Sequence, residues 1–225
     1  MEKYRILNLY ACLGGNRYKW DEVADNLEIT AVELDPEAAR LYQERFPNDK
    51  VIVADAHQYL LDHYKEFDFI WSSPPCPTHS KVRFTQKNQD FYVPEYPNMM
   101  LYQEIIFLKH HFEGKYCVEN VIPYYEPLIP GQKRGRHLYW TNFLLPNEID
   151  RKESKGIIGG QVNDEFKKLC EFHQYDFSQY KGEQSRTKMA RNLVDFEVGK
   201  TILETALNIY KKTNINQTSI FDYEV

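Results

Sequence analysis

Short apolar runs alternate with longer amphipathic segments over the first 145 residues of the chain. Short apolar runs bounded by turn residues are typical of buried strands. The sequence predicts such strands at Arg5–Tyr10, Ile29–Leu34, Val51–Ala54, Phe67–Trp71 and Tyr116–Val118.

Two of the segments between these strands carry helical signals. Pro36–Phe46 has apolar residues at helical spacing, and Asp35 stands where a capping residue is expected. Asn98–Phe112 fits a second helix. Strands that alternate with helices predict an α/β fold with a doubly wound, mostly parallel sheet.

The rest of the chain is less regular. Arg136–Leu145 is rich in aromatic and branched residues and predicts one or two further strands. Helices are predicted at Asp164–Phe172 and Glu197–Lys211. We therefore expect one main domain made of residues 1–145 and 186–212, a short insertion lobe at 146–185, and a flexible tail at 213–225.

Length and composition fit one globular domain. The chain has 225 residues, 42% of them hydrophobic and 27% charged. The net charge of −5 argues against a protein that coats nucleic acid, so local basic clusters carry more information than the total. Neither a signal peptide nor an apolar run of membrane-spanning length is recognisable, and we expect a cytoplasmic protein without a membrane segment.

The four cysteines are scattered and none has CxxC spacing, so no metal site is expected. In a reducing compartment Cys76 is free to act as a nucleophile.

Three successive strand ends carry residues suited to a nucleoside-bearing cofactor. Gly14 and Gly15 follow the first strand, where the backbone can approach a ligand closely. Glu33 ends the second strand and can accept hydrogen bonds from ribose hydroxyls, and Asp55 follows the third and can meet an adenine amino group. The GxGxxG pattern of a dinucleotide site is absent, which disfavours NAD.

The next two strand ends carry candidate catalytic groups. Cys76 stands in a proline-flanked turn after the fourth strand, and Glu119 ends the fifth. Ligands bind at the carboxyl ends of the strands in doubly wound folds, so both side chains are expected at one site. A thiolate beside a carboxylic acid suits nucleophilic addition to a ring that is protonated as it is attacked.

In this order, the Gly-rich turn, the acidic strand end, Pro74-Pro75-Cys76, Glu119-Asn120-Val121 and Gln132-Lys133-Arg134-Gly135-Arg136 resemble the motifs of the cytosine-C5 methyltransferases. The combination of the last three is highly specific. The resemblance implies a Rossmann-like S-adenosylmethionine-dependent methyltransferase fold and DNA (cytosine-5-)-methyltransferase activity. The lobe 146–185 is expected to be either a small insertion or a target-recognition lobe. A restriction-modification role is expected, with or without a paired endonuclease.

The resemblance also implies roles for individual residues. Cys76 attacks C6 of a cytosine flipped out of the duplex, Glu119 contacts N3 and the exocyclic amine, Arg136 contacts O2, and Arg134 braces the loop that carries Cys76. S-adenosylmethionine donates the methyl group. The residues implied for the cofactor pocket are Tyr10, Gly14, Gly15, Glu33, Leu34, Asp55, Ala56, Pro74, Asn192 and Val194. The segment 78–97 resembles the mobile loop that closes on nucleic acid, with Ser80, Lys81, Arg83 and Lys87 as the candidate contacts.

The chain departs from the family pattern at three of these positions. Asn8 replaces an aspartate, Cys12 replaces the first glycine of the cofactor turn, and Arg191 stands where a glycine is usual.

Double-stranded DNA is the expected partner, and a homodimer is left open. The tail segment Gln217–Phe221 is similar to the pentapeptide by which bacterial replication proteins dock on the sliding clamp, with Gln217, Ile220 and Phe221 as its anchors. Three alternatives stay open at this point. These are a C5 methyltransferase acting on cytosine in RNA such as tRNA, a non-catalytic DNA-binding regulatory subunit, and a cysteine enzyme acting on free nucleotides.

Overall fold

A computed structural model of the chain describes residues 2–85, 87–88, 92–149 and 162–211. The clamp-like segment Gln217–Phe221, the tail 213–225 and the first part of the lobe lie outside these ranges. None of the helices in the described part of the chain is long and apolar enough to span a bilayer.

A seven-stranded sheet with the order β3-β2-β1-β4-β5-β7-β6 forms the centre of the molecule. Its first five members are parallel, and β7 joins β5 in antiparallel orientation with β6 on the outside. The predicted doubly wound α/β fold is therefore confirmed. The strands are β1 Tyr4–Leu9, β2 Leu27–Glu33, β3 Lys50–Val53, β4 Phe69–Ser72, β5 Lys115–Val121, β6 Gln132–Arg134 and β7 His137–Thr141.

The α-helices of the described ranges cover both faces of the sheet. They are α1 Pro36–Arg45, α2 Ala56–His63, α3 Val82–Thr85, α4 Met100–His111, α5 Val162–His173, α6 Arg186–Asn192 and α7 Phe196–Ala206. Alternate residues of the strands point to opposite faces. On one face α2 and α4 pack on Leu7, Leu9 and Val118, and on the other α7 packs on Ile6 and Phe69.

The helix starts follow the capping rules. The Asp35 carboxylate accepts hydrogen bonds from the backbone N–H groups of Glu37 and Ala38, and Pro36 occupies the first helical position. Asp55 caps α2 in the same way through Gln58. The helix predicted at Glu197–Lys211 ends earlier, at Ala206, and Asn208 follows with a positive φ of 59°.

The described part of the lobe shares a hydrophobic cluster with the main domain. Leu169 of α5 and the following residues Phe177 and Tyr180 pack with Leu13 and Leu41, which belong to the cofactor turn and to α1. Within the described ranges the apolar side chains of the lobe have no core of their own. They pack on the main domain instead, which places the lobe beside the carboxyl end of β1.

The chain order changes direction between β1 and β4. From β1 the sheet continues to β2 and β3 on one side, and from β4 it continues to β5 on the other. Loops that leave these two strands in opposite directions open a crevice at their carboxyl ends, where ligands bind in folds of this kind.

Candidate active site

One large cavity, with a volume of about 1190 Å³, lies at this crevice. It is large enough for a nucleoside cofactor and a second small group. Most of the site residues expected from the sequence line it, namely Tyr10, Gly15, Glu33, Leu34, Asp55, Ala56, Pro74, Cys76, Glu119, Arg134, Arg136, Asn192 and Val194.

Gly14 does not line the cavity. It adopts φ of 71°, and an added Cβ would lie 2.3 Å from the ring of Phe46, so it permits the turn and packing on α1. Gly15 does line the cavity, and a Cβ there would lie 2.4 Å from the carbonyl oxygen of Val194. A side chain at Gly15 would therefore push the segment before α7 away from the turn.

Glu33 is fixed by the turn that follows β1. One carboxylate oxygen accepts a hydrogen bond from the backbone N–H of Cys12 at 2.8 Å, and the other accepts from that of Asp35 at 2.9 Å. Burial raises the pKa of Glu33, and these two bonds oppose that shift. Each oxygen keeps a second lone pair that can accept a ribose hydroxyl, so the carboxylate fits the expected cofactor.

Cys76 lies half-buried in the turn after β4. Its carbonyl oxygen accepts hydrogen bonds from the N–H groups of His79 and Ser80, at 3.0 and 3.1 Å. Burial raises the pKa of the Cys76 thiol, the charge of Glu119 raises it further, and Lys188 of α6 lowers it. The resting thiol therefore favours its protonated form until the charges around it change.

The residue after Glu119 holds the catalytic turn. The side-chain amide of Asn120 is buried and donates a hydrogen bond of 2.8 Å to the carbonyl oxygen of Pro74. This bond joins the end of β5 to the segment that carries Cys76. Asn120 was part of the recognised motif, but its positioning role follows only from the structure.

Glu119 itself is 7% exposed and lies beside His137, the first residue of β7. The Nε2 atom of His137 is 3.5 Å from a carboxylate oxygen of Glu119. The sequence analysis did not single out His137, although it directly follows the Gln132–Arg136 motif.

The two arginines of that motif differ in their contacts. Arg134 donates hydrogen bonds of 2.8 Å to the carbonyl oxygens of Lys133 and Leu145, and it also bonds to Pro146. None of these bonds reaches the loop that carries Cys76, and the bracing role expected for Arg134 stays a prediction. The guanidinium of Arg134 points toward the end of β7. Arg136 is exposed, and its carbonyl oxygen accepts a hydrogen bond from the N–H of Ile122, but its guanidinium has no hydrogen-bond or ion-pair partner within the described ranges.

The candidate nucleic-acid loop lies outside the cavity. Arg83 of α3 bonds to the carbonyl oxygen of Val93 at 2.8 Å and pairs with Glu95 at 3.2 Å. Its charge is thus partly neutralised. Ser80 forms a bridge with Pro123, while Lys81 and Lys87 are exposed.

A buried carboxylate links the strand ends around the site. Glu104 of α4 accepts hydrogen bonds from the hydroxyls of Tyr10 and Ser72, at 2.6 and 2.5 Å, and it lies 2.9 Å from Nδ1 of His57. Tyr10 follows β1 and has a φ of 55°, and Ser72 ends β4 just before the catalytic turn. Glu104 was inside a predicted helix, and only the tertiary structure brings these partners to it.

Asn8, Cys12 and Arg191, which depart from the family pattern, each have a defined conformation or contact in the structure. The amides of Asn8 and Asn16 form a buried pair at 2.8 Å. Cys12 occupies a left-handed conformation with φ of 48°, which a glycine adopts more readily. Arg191 forms two hydrogen bonds with Glu165, at 2.5 and 2.6 Å, and so joins α6 to α5.

Comparisons with known proteins identify the family and the fold of the chain. The model of the family described as C-5 cytosine-specific DNA methylase matches residues 4–121. A methyltransferase of Entamoeba histolytica, EhMeth, has a TM-score of 0.53 at 10% identity, covering 92% of this chain and 99% of that one. A DNMT2 variant of Spodoptera frugiperda has a TM-score of 0.54 at 15% identity, covering 91% and 100%. A search of curated proteins gave no significant match. At these identities the two structures show a shared fold.

Proposed function

The chain belongs to the C-5 cytosine-specific DNA methylase family, and from this premise we propose that it methylates cytosine in double-stranded DNA through a covalent Cys76 adduct. As a member of this family it is a cytosine C5 methyltransferase that uses S-adenosylmethionine. The DNA substrate, the covalent mechanism and the residue roles are the parts that we propose.

The observation that carries the proposal is the shared cavity. Glu33 and Asp55 line one part of it, and Cys76, Glu119 and Arg136 line another. A methyl donor bound by Glu33 and Asp55 would therefore lie in the same cavity as a cytosine ring bound by Cys76, Glu119 and Arg136. The chemistry of this reaction needs that proximity.

Two carboxylates of the cavity keep acceptor atoms that suit the cofactor. Glu33 offers its free lone pairs, and Gly15 lines the cavity beside it. Asp55 uses one oxygen to cap α2, which leaves the other for an amino group. When bound, S-adenosylmethionine supplies an electrophilic methyl group.

We assign the other steps to residues of the catalytic end. The Cys76 thiolate adds to C6 of the cytosine, and protonated Glu119 donates a hydrogen bond to N3, which stabilises the charge pushed into the ring. The unpaired guanidinium of Arg136 binds O2. C5 then gains the methyl group, the C5 proton leaves to solvent, and the electrons of that C–H bond break the C6–S bond and release Cys76 as a thiolate. Because C6 is stacked inside a duplex, the base must flip out first.

The test compares substrates and one variant. Purified protein, radiolabelled S-adenosylmethionine and either duplex DNA or tRNA are incubated, and methyl incorporation is measured for the wild type and for Cys76→Ser. We expect transfer to duplex DNA, lost in Cys76→Ser, with cofactor affinity retained. Transfer to tRNA alone would replace DNA by RNA as the substrate, and absence of transfer to both would favour a regulatory subunit.

A further inference from the structure

His137 places an ionisable group directly beside the proposed acid of the site. It opens β7 and lies opposite Val121 and Arg134 in the register of its two neighbouring strands. Its side chain is 34% exposed and lines the cavity, and Nε2 is 3.5 Å from Oε1 of Glu119. The imidazole therefore connects a buried carboxyl group with solvent.

Other ionisable groups on several elements line the same cavity as this pair. Cys76 lies on the turn after β4, Lys188 on α6, and Glu148 on the segment after β7. Arg134 gives its N–H groups to backbone carbonyls, and Arg136 belongs to the same hairpin. His137 is thus the one group among these whose charge ordinarily changes between pH 5 and 8.

The proposed reaction makes opposing demands on this cluster. Glu119 must carry a proton to donate to N3, while Cys76 must lose one to attack C6. The charge of Glu119 raises the pKa of the Cys76 thiol. A residue that returns a proton to Glu119 therefore restores the acid and removes the negative charge that opposes the Cys76 thiolate.

We propose that His137 is a positioning residue that acts through Glu119 as its proton donor, an inference that rests on the proposed function. As the thiolate adds to C6, the O–H bond of Glu119 facing the base breaks and an N–H bond forms at N3. At the same time the Nε2–H bond of the His137 imidazolium breaks and an O–H bond forms at Oε1 of Glu119. The carboxyl group stays protonated, the neutral imidazole regains its proton from solvent, and the N3 proton is lost to solvent when Cys76 is eliminated.

The first test needs neither DNA nor cofactor. The alkylation rate of Cys76 by iodoacetamide is measured from pH 5.5 to 9 by peptide mass spectrometry on the full chain, with Cys170 as internal reference. His137→Gln keeps a polar side chain but removes the charge. His63→Gln is the matched control, because His63 lies 2.7 Å from Glu66 on the surface, away from the cavity.

At the acidic end of this range Cys76 should react roughly threefold to tenfold more slowly in His137→Gln than in the wild type, because the variant has no cation beside Glu119. The two rates should converge toward the alkaline end. The control should follow the wild type throughout. Superimposable profiles for the wild type and His137→Gln would overturn the proposal.

The second test is a double-mutant cycle on single-turnover methyl transfer with duplex DNA. His137→Gln should lower the rate about tenfold in the wild type but produce no further loss in Glu119→Gln, because its partner is then absent. An equal loss in both backgrounds would show that His137 acts independently of Glu119. Failure of the proposed function is distinguishable, since the wild type would then transfer no methyl group to duplex DNA, or Cys76→Ser would transfer it at the wild-type rate.

Discussion

Asn120 shows how one buried side chain can fix the geometry of a catalytic turn. Its amide donates to the carbonyl oxygen of Pro74, two residues before Cys76. A proline-flanked turn has few backbone N–H groups with which to hold itself. The bond from β5 supplies the missing connection, so the position of the thiol depends on the strand that also carries Glu119.

Replacing Asn120 should therefore slow the reaction more than it weakens cofactor binding. We expect Asn120→Ala to lower the single-turnover rate by roughly 10- to 100-fold, the scale of a small misplacement of a reacting group. Affinity for S-adenosylmethionine, measured by calorimetry, should stay close to that of the wild type.

The matched control for this variant is Asn142→Ala. Asn142 makes the same kind of bond, 2.8 Å from its side-chain amide to the carbonyl oxygen of Gly114, at the start of β5 and away from the cavity. An equal fall in rate for both variants would mean that lost stability, and not the position of Cys76, explains the effect.

At this scale the sequence revealed the reactive residues but not the residues that hold them. Cys76 and Glu119 lie in short motifs whose chemistry can be inferred from residue type and order. Glu104 and His137 have no such local signature, because their partners are distant in the chain. The bonds of Arg134 could not be predicted for the same reason, since the direction of a hairpin side chain depends on where the chain goes after β7.

Among the secondary-structure elements, α4 stands out because its buried Glu104 bonds to three neighbours. The carboxylate raises the pKa of His57, since its hydrogen bond favours the charged imidazole and outweighs the effect of burial. A raised pKa in the folded state means that the pair stabilises the protein at low pH. This contribution is complete below the pKa of the unfolded chain, about 6.5, and is lost as the pH rises through the higher folded value.

His57→Gln should remove this dependence on pH. The free energy of unfolding, measured by urea titration at several pH values between 5.5 and 8.5, should fall with rising pH more steeply in the wild type than in His57→Gln. Parallel curves for the two proteins would contradict the role of the His57–Glu104 pair. His63→Gln serves as a control, because the exposed pair that it removes contributes little.

The order of strands and helices was predictable from the sequence. Each parallel strand is a short apolar run, and the segments between strands have apolar residues at helical spacing. The element boundaries were less predictable. The last helix ends at Ala206, and β6 could not be recognised as a strand because Gln132–Arg134 contains only polar residues. The location of the lobe also depends on tertiary contacts, since Leu169 and Phe177 share a hydrophobic cluster with residues of α1 and of the turn after β1, which are distant in the chain.

The charge distribution of the whole molecule predicts weak electrostatic attraction to DNA. The net charge is −5, Arg83 is paired with Glu95, and Arg191 is paired with Glu165. Lys133, Arg136 and Lys188 line the cavity. Each phosphate that a cation neutralises adds about −0.9 to the slope of log K against log salt concentration, so a slope of roughly −3 is expected.

Fluorescence anisotropy with a labelled duplex at 50 to 200 mM salt measures this slope. The Lys133→Gln variant should make the slope shallower by about one. The Lys65→Gln variant should leave the slope unchanged, because Lys65 lines a separate groove away from the cavity. A slope steeper than about −6 would show that DNA contacts many more cations than those at the cavity.

The central claim for the whole molecule is that Cys76 forms a covalent bond with a flipped cytosine. A duplex with 5-fluorocytosine blocks the loss of the C5 substituent, so the adduct should accumulate after methyl transfer. The most direct measurement is mass spectrometry of the trapped complex, with the attached nucleotide mapped to one cysteine. The account predicts attachment to Cys76 and no adduct in Cys76→Ser. Attachment to Cys12, Cys117 or Cys170, or methyl transfer by Cys76→Ser at the wild-type rate, would contradict it.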